Sequence, residues 1–220
     1  MKKSLNYLFF IILLADIFAI VTGNHGLQIV FKPLLMIVLG IHYRLSVARV
    51  NKLFVLALCF AFIGDVLLLF DSNVTYFLGG IASFLVMHLF YIGIFSTFLQ
   101  KKSLPVFAKG IVPFLCYFSV ILLLIFNQLN ELLIPVLVYG GVISLFGTVC
   151  LVNYVQKQST DNRWLLIGAV LFIISDSLIA INRFYLPHLV FEVLIITLYA
   201  ISQWIICWFM VKNKHYHLHR

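Results

Sequence analysis

Eight apolar runs, each long enough to cross a lipid bilayer and separated by only a few polar residues, govern what this 220-residue chain can fold into. They lie near 5–22, 27–43, 53–70, 75–99, 105–127, 132–152, 164–184 and 189–211. Crossing the hydrocarbon layer takes roughly 20 residues of helix. A backbone in lipid must also satisfy its own polar groups, which restricts spanning elements to helices and closed barrels. Runs of this length fit helices. The expected fold is therefore all-α, a polytopic bundle of about eight transmembrane helices. No Gly/Ser-rich or Pro-rich linker divides it, so residues 1–220 are read as one helical domain.

Composition agrees, with 64% hydrophobic and 10% charged residues and a mean hydropathy of +1.13. The formal charge of +8 does not point to nucleic acid, because its Lys and Arg residues lie between apolar runs and form no basic face. They follow topology instead. Lys2, Lys3, Arg44, Arg49, Lys52, Lys101, Lys102, Lys109, Lys157, Arg163, Lys212, Lys214 and Arg220 fall on one side of an eight-span arrangement. The opposite loops carry Asn24, His25, Asp71, Asn73, Gln128, Asn130 and Glu131, with Lys32 and Arg183 just inside helix ends. By the positive-inside rule both termini are expected in the cytoplasm. Met1-Lys2-Lys3 before an apolar stretch has the outline of a secretory signal. Asp16 interrupts that stretch and no A-x-A-like cleavage site follows, so a retained first helix is expected. Cys59, Cys116, Cys150 and Cys207 are spread one to a run without C-x-x-C spacing, which argues for neither a disulfide framework nor a zinc site. His215, His217 and His219 are read as part of a solvated basic tail.

A parallel four-plus-four repeat is suggested by Phe62-Ile63-Gly64-Asp65 and Ile173-Ile174-Ser175-Asp176, and by the same offset between His88 and Tyr199 (176 − 65 = 199 − 88 = 111). The first two runs do not match the fifth and sixth convincingly.

Buried ionisable residues carry the functional signal. A charged carboxylate at the bilayer centre costs at least ~2.5–3.5 kcal/mol, so such groups face the bundle interior and have partners or tasks. Asp65 and Asp176 each lie about twelve residues from the cytoplasmic start of their run, at similar depth for ~1.5 Å per residue. Arg183 follows Asp176 by two turns on one helical face, and Lys32-Pro33 adds a second cation near the outer end of its run. His88 and Tyr91 share a face, as do Tyr199 and Gln203, and Asn182 adjoins Arg183. Gly64, Gly79, Gly80, Ser83 and Ser175 permit close helix approach. Each residue also has a structural reading: the aspartates as interhelical glue or partners of Lys32 and Arg183, His88 as a hydrogen-bonded core histidine, Arg183 as a headgroup anchor, and Tyr199, Gln203 and Asn182 as packing groups. Asp16 lies at comparable depth with no motif around it.

Taken together, Gly64-Asp65, the series Phe77-Leu78-Gly79-Gly80, Phe84, His88 and Tyr91, and Ser175-Asp176 with Ala180-Ile181-Asn182-Arg183-Phe184, Tyr199 and Gln203 resemble the YhhN family of membrane proteins, with Lys32-Pro33 as a further match. The resemblance runs over nearly the whole chain. That family includes animal lysoplasmalogenases, and the resemblance implies an eight-helix enzyme cleaving the vinyl ether bond of a lysoplasmalogen to a fatty aldehyde and a glycerophospho-head group. Such chemistry starts by protonating an alkene carbon, needs an anion beside the resulting oxocarbenium ion, and needs a base for water. Two carboxylates in a dry site supply these roles. On this basis Asp65 and Asp176 are the expected acid and base in unassigned order. His88 and Tyr199 would orient water or tune proton affinity, and Lys32, Tyr91, Asn182, Arg183 and Gln203 would bind the lipid. No cofactor or metal is expected, since a zinc site needs three or four close ligands. The expected partners are the lysophospholipid and membrane lipids, with no nucleic acid, and the expected location is a bacterial inner membrane. A proton-coupled transporter is the competing reading, since midplane carboxylates and parallel repeats suit it equally.

Overall fold

The computed structural model describes residues 2–101 and 103–213. Lys102, Lys214, Arg220 and the tail histidines His215, His217 and His219 lie outside the described residues, as do the side chains of Lys2 and Lys3. Eight α-helices follow one another: α1 Lys2–Val21, α2 His25–Ser46, α3 Lys52–Leu68, α4 Val74–Ser96, α5 Leu104–Ile125, α6 Leu133–Gln156, α7 Thr160–Phe184 and α8 Leu189–Lys212. Two short 3₁₀ turns, Phe126–Gln128 and Asn130–Leu132, join α5 to α6. Among the described residues there is no strand. Seven of the helices are long and apolar enough to cross a membrane. The eighth, α3, has 17 residues and sits at the short end of the spanning range. This is a polytopic bundle of membrane helices.

The polar breaks between apolar runs act as caps. Asn24 accepts from the Leu27 amide at 3.1 Å, Asn51 from Phe54 at 3.2 Å, Asn73 from Thr75 at 2.8 Å and Ser159 from Asn162 at 3.2 Å. Each satisfies a donor that a helix start leaves open. The Ser159 cap explains why α7 starts at Thr160, ahead of its apolar run: Asp161, Asn162 and Arg163 form its polar first turn. Gly23, at φ +65° in the turn between α1 and α2, occupies the left-handed region that a side chain disfavours.

The most extensive contacts are between α3 and α4 and between α7 and α8, and α1 packs on α2 and α8. Small residues set the first two. A Cβ on Gly80 would stand 2.7 Å from the Leu68 side chain, and one on Gly64 3.0 Å from the Phe84 ring. In the second pair Ser202 donates to the Gly168 carbonyl at 2.7 Å and Ser175 to the Ile195 carbonyl at 2.9 Å. Tyr7, Leu14, Phe18, Val120, Leu123 and Ile134 point outward, as a surface solvated by lipid requires. The core holds Tyr91, Phe95, Phe146, Phe172 and Phe209.

Candidate active site

A cavity of about 480 Å³ lies among α1, α2, α3, α7 and α8, and Asp16, Lys32, Asp65, Asp176, Asn182, Arg183 and Tyr199 all line it. His25, Asp71 and Pro187, from the segments around the α1–α2, α3–α4 and α7–α8 turns, also border it. The cavity therefore reaches the end of the bundle opposite most of the Lys and Arg residues. Asp65 and Asp176 come from separate helices and meet on this common space.

Each aspartate holds one phenol. Tyr199 on α8 donates to Asp65 Oδ2 at 2.8 Å, and Tyr139 on α6 donates to Asp176 Oδ2. Asp65 is 1% exposed, on α3, which the Gly64 contact draws close to α4. Phe84 and Phe172 stand edge-on to the Tyr199 ring at 5.7 and 5.4 Å and fix its orientation.

Asp16 completes the acidic set. It is fully buried on α1, and neither carboxylate oxygen has a hydrogen-bond partner. Lys32 on α2 lies within electrostatic reach of Asp16 and Asp65. Arg183 is more constrained, because its Nη1 donates to the Asp71 carbonyl at 2.8 Å and its guanidinium lies 3.9 Å from the centroid of the Phe77 ring. Asn182 borders the cavity while its Oδ1 accepts from the His188 amide at 2.7 Å. Among the described residues no three His, Cys, Asp or Glu side chains form a metal-binding group.

Three residues expected at the site do not line this cavity. Tyr91 donates to Gln203 Oε1 at 2.6 Å, and Gln203 Nε2 donates to Met87 Sδ at 3.3 Å. This pair braces α4 against α8 deeper in the bundle. His88 is fully buried, with Phe172, Phe146 and Tyr139 ring centroids 4.7, 5.2 and 5.9 Å away. Its Nδ1 lies 2.9 Å from the Phe84 carbonyl, which can only accept, so Nδ1 carries the proton and Nε2 is left without a partner.

Tyr139 was not among the residues expected at the site, and Asp16 was given no role there. Tyr139 has no polar neighbour at helical spacing, for Ile143 and Phe146 continue its face. Asp16 was visible through the cost of an intramembrane carboxylate, which applies with or without a surrounding motif.

A polytopic bundle of apolar helices with carboxylates gathered around one internal cavity defines an integral membrane protein with an internal polar site. The profile of the YhhN family matches residues 27–210, and the chain belongs to that family. It is 28% identical over 189 residues to human lysoplasmalogenase TMEM86A, covering 81% of this chain and 75% of the relative. It is 30% identical over 186 residues to lysoplasmalogenases of Mycobacterium bovis and Mycobacterium tuberculosis, covering 83% of this chain and 69% of each. No solved structure matches it.

Proposed function

We propose that this protein is a lysoplasmalogenase-like hydrolase, cleaving the vinyl ether bond of a lysophospholipid to a fatty aldehyde and a glycerophospho-head group. The observation that carries this reading is that Asp65 and Asp176, from two different helices, line one cavity. The names of the relatives support the substrate class.

A vinyl ether is hydrolysed when an acid delivers a proton to the alkene carbon farther from oxygen, leaving an oxocarbenium ion at the other. Water adds to that ion, and the hemiacetal collapses to an aldehyde and an alcohol. One aspartic acid gives the first proton, and the second, as carboxylate, stabilises the cation and takes a proton from the attacking water. A low-dielectric surrounding favours the neutral form of a carboxylic acid, which suits the donor. Tyr199 orients Asp65 by its hydrogen bond. Lys32 and Arg183 attract the lipid phosphate at the mouth. Tyr91, Gln203 and His88 serve this site from behind, by holding α4, α6 and α8 in place around it.

With the basic ends of the helices in the cytoplasm of a bacterial cell, the cavity opens toward the outer side of the inner membrane. Purified protein in detergent, given lysoplasmalogen, is expected to release aldehyde in step with loss of substrate. Movement of intact solute across liposomes without aldehyde release would instead identify a carrier.

A further inference from the structure

Asp176 and Ile179, one helical turn apart on α7, wall two cavities at once. On one side is the polar chamber. On the other is a narrow cleft of about 70 Å³ lined by Ile81 of α4, Phe118 of α5, Val136 and Tyr139 of α6, and Ala180 of α7. Apart from Tyr139, Asp176 and Ser177, its walls are apolar. Several lining residues, among them Phe118 and Val136, are only half-buried. The cleft therefore lies near the outer face of the bundle, beside α5, the least buried of the seven apolar spans. On α6 Gly140 lets the Phe118 ring approach, since a Cβ there would stand 2.0 Å from it.

We infer that this cleft receives the hydrocarbon chain of the lipid, with the head group in the polar chamber and the reacting bond at Asp176 between them. The inference rests on the hydrolase reading and adds a direction to it. In a vinyl ether the carbon that accepts the proton is on the chain side and the carbon that water attacks is bonded to the head-group oxygen. A chain entering from the cleft brings the proton-accepting carbon to Asp176 and turns the other carbon toward the chamber and Asp65.

The assignment follows. Asp176 gives its proton to the chain-side carbon as the alkene π pair forms the new C–H bond, and positive charge develops at the ether carbon. Water attacks that carbon from the chamber while Asp65 takes a proton from it. Asp65 then returns its proton to the glycerol oxygen as the C–O bond to the head group breaks, and Asp176 takes the hemiacetal hydroxyl proton as the aldehyde forms, which restores both groups. One water is consumed and no oxidation occurs. The cleft encloses only the first carbons of the chain, and the remainder passes into the surrounding lipid.

The test uses lysophosphatidylcholine carrying a diazirine in its acyl chain near the ester, photolysed with the full-length protein in detergent. Label is expected on Phe118, Val136 or Ile143, reduced by excess unlabelled lysoplasmalogen. Label confined to the chamber, or cleft label that the competitor leaves unchanged, overturns the inference. Val136→Trp, and independently Ala180→Phe, should remove the competed label. In variants that elute as the parent does, they should also lower kcat/KM for a vinyl ether substrate about tenfold, as expected when the first methylenes of the chain lose their contacts; an unchanged kcat/KM overturns it. Competed cleft label without aldehyde release contradicts the hydrolase reading and the assigned proton transfer, whereas aldehyde release with label elsewhere contradicts only the cleft.

Discussion

Tyr199 donates a hydrogen bond to Asp65 across the interface of α8 and α3, at 2.8 Å, and so ties the end of the chain to its first half at the polar cavity. The Phe84 and Phe172 rings, themselves 6.5 Å apart, both pack edge-on against the phenol and hold it in that orientation. Tyr199→Phe keeps these ring contacts and deletes one donor. A hydrogen bond to a charged group contributes about 1.5–3 kcal/mol, so kcat should fall at least about tenfold while the purified variant elutes as the parent does. Unchanged kcat would show that this bond has no part in turnover.

Tyr139 relates to Asp176 in the same manner from α6. Tyr139→Phe should also depress kcat. Because the two carboxylates line one cavity, interact electrostatically and act in one reaction, the double variant with Tyr199→Phe should lose less than the sum of the separate free-energy effects, as coupled sites do. Strict additivity would mean that the two bonds contribute to turnover separately.

Asp16 has no hydrogen bond to either oxygen although it is fully buried. Its side chain lines the polar chamber together with Lys32, and Asp16→Leu places an apolar group on that wall. The same change removes a carboxylate within electrostatic reach of Lys32, and substrate affinity should shift with it. A KM equal to the parent's would show that Asp16 has no part in binding.

Close approach of α3 and α4 depends on Gly80, where an added Cβ would meet Leu68 at 2.7 Å and the Gly64 carbonyl at 3.4 Å. Gly80→Val should cost about 1–3 kcal/mol by overpacking and displace Asp65 from Tyr199. Thermal unfolding with aldehyde assay checks both effects. Parental values in both would mean that the helices adapt without moving the carboxylate.

A mechanism that needs one carboxylic acid and one carboxylate gives a bell-shaped dependence of kcat/KM on pH. Acidification protonates the base and produces the falling low-pH limb, and alkalinisation strips the acid and produces the falling high-pH limb. Asp65→Asn and Asp176→Asn should each leave only residual rate across the range. A flat profile in the parent protein would contradict paired carboxylate chemistry.

Much of this architecture was legible in the sequence because lipid imposes a simple rule: apolar runs become helices, and the polar breaks at Asn24, Asn51, Asn73 and Ser159 become their caps. Asp65, Asp176, Tyr199, Lys32, Asn182 and Arg183, singled out by cost and helical spacing, line one cavity. The helix faces were less legible. In runs that are apolar all round, no stripe announces which side turns inward, so Tyr139 gave no sign that it would meet Asp176. The register pairs His88 with Tyr199, each 23 residues after an aspartate, and both were expected to orient water or tune proton affinity at Asp65 and Asp176. His88 instead turns its Nδ1 back to the Phe84 carbonyl of its own helix, and the phenol of α6 takes the place beside the aspartate. Tyr91 and Gln203 shared faces with the site residues but satisfy each other one layer deeper.

The most direct measurement is aldehyde release from lysoplasmalogen by the purified protein beside its Asp65→Asn and Asp176→Asn forms, each first shown to be folded in detergent. The account predicts turnover by the parent and a loss of at least about a hundredfold in each variant, the scale of removing a general acid or base. Parental rates in both folded variants would contradict it.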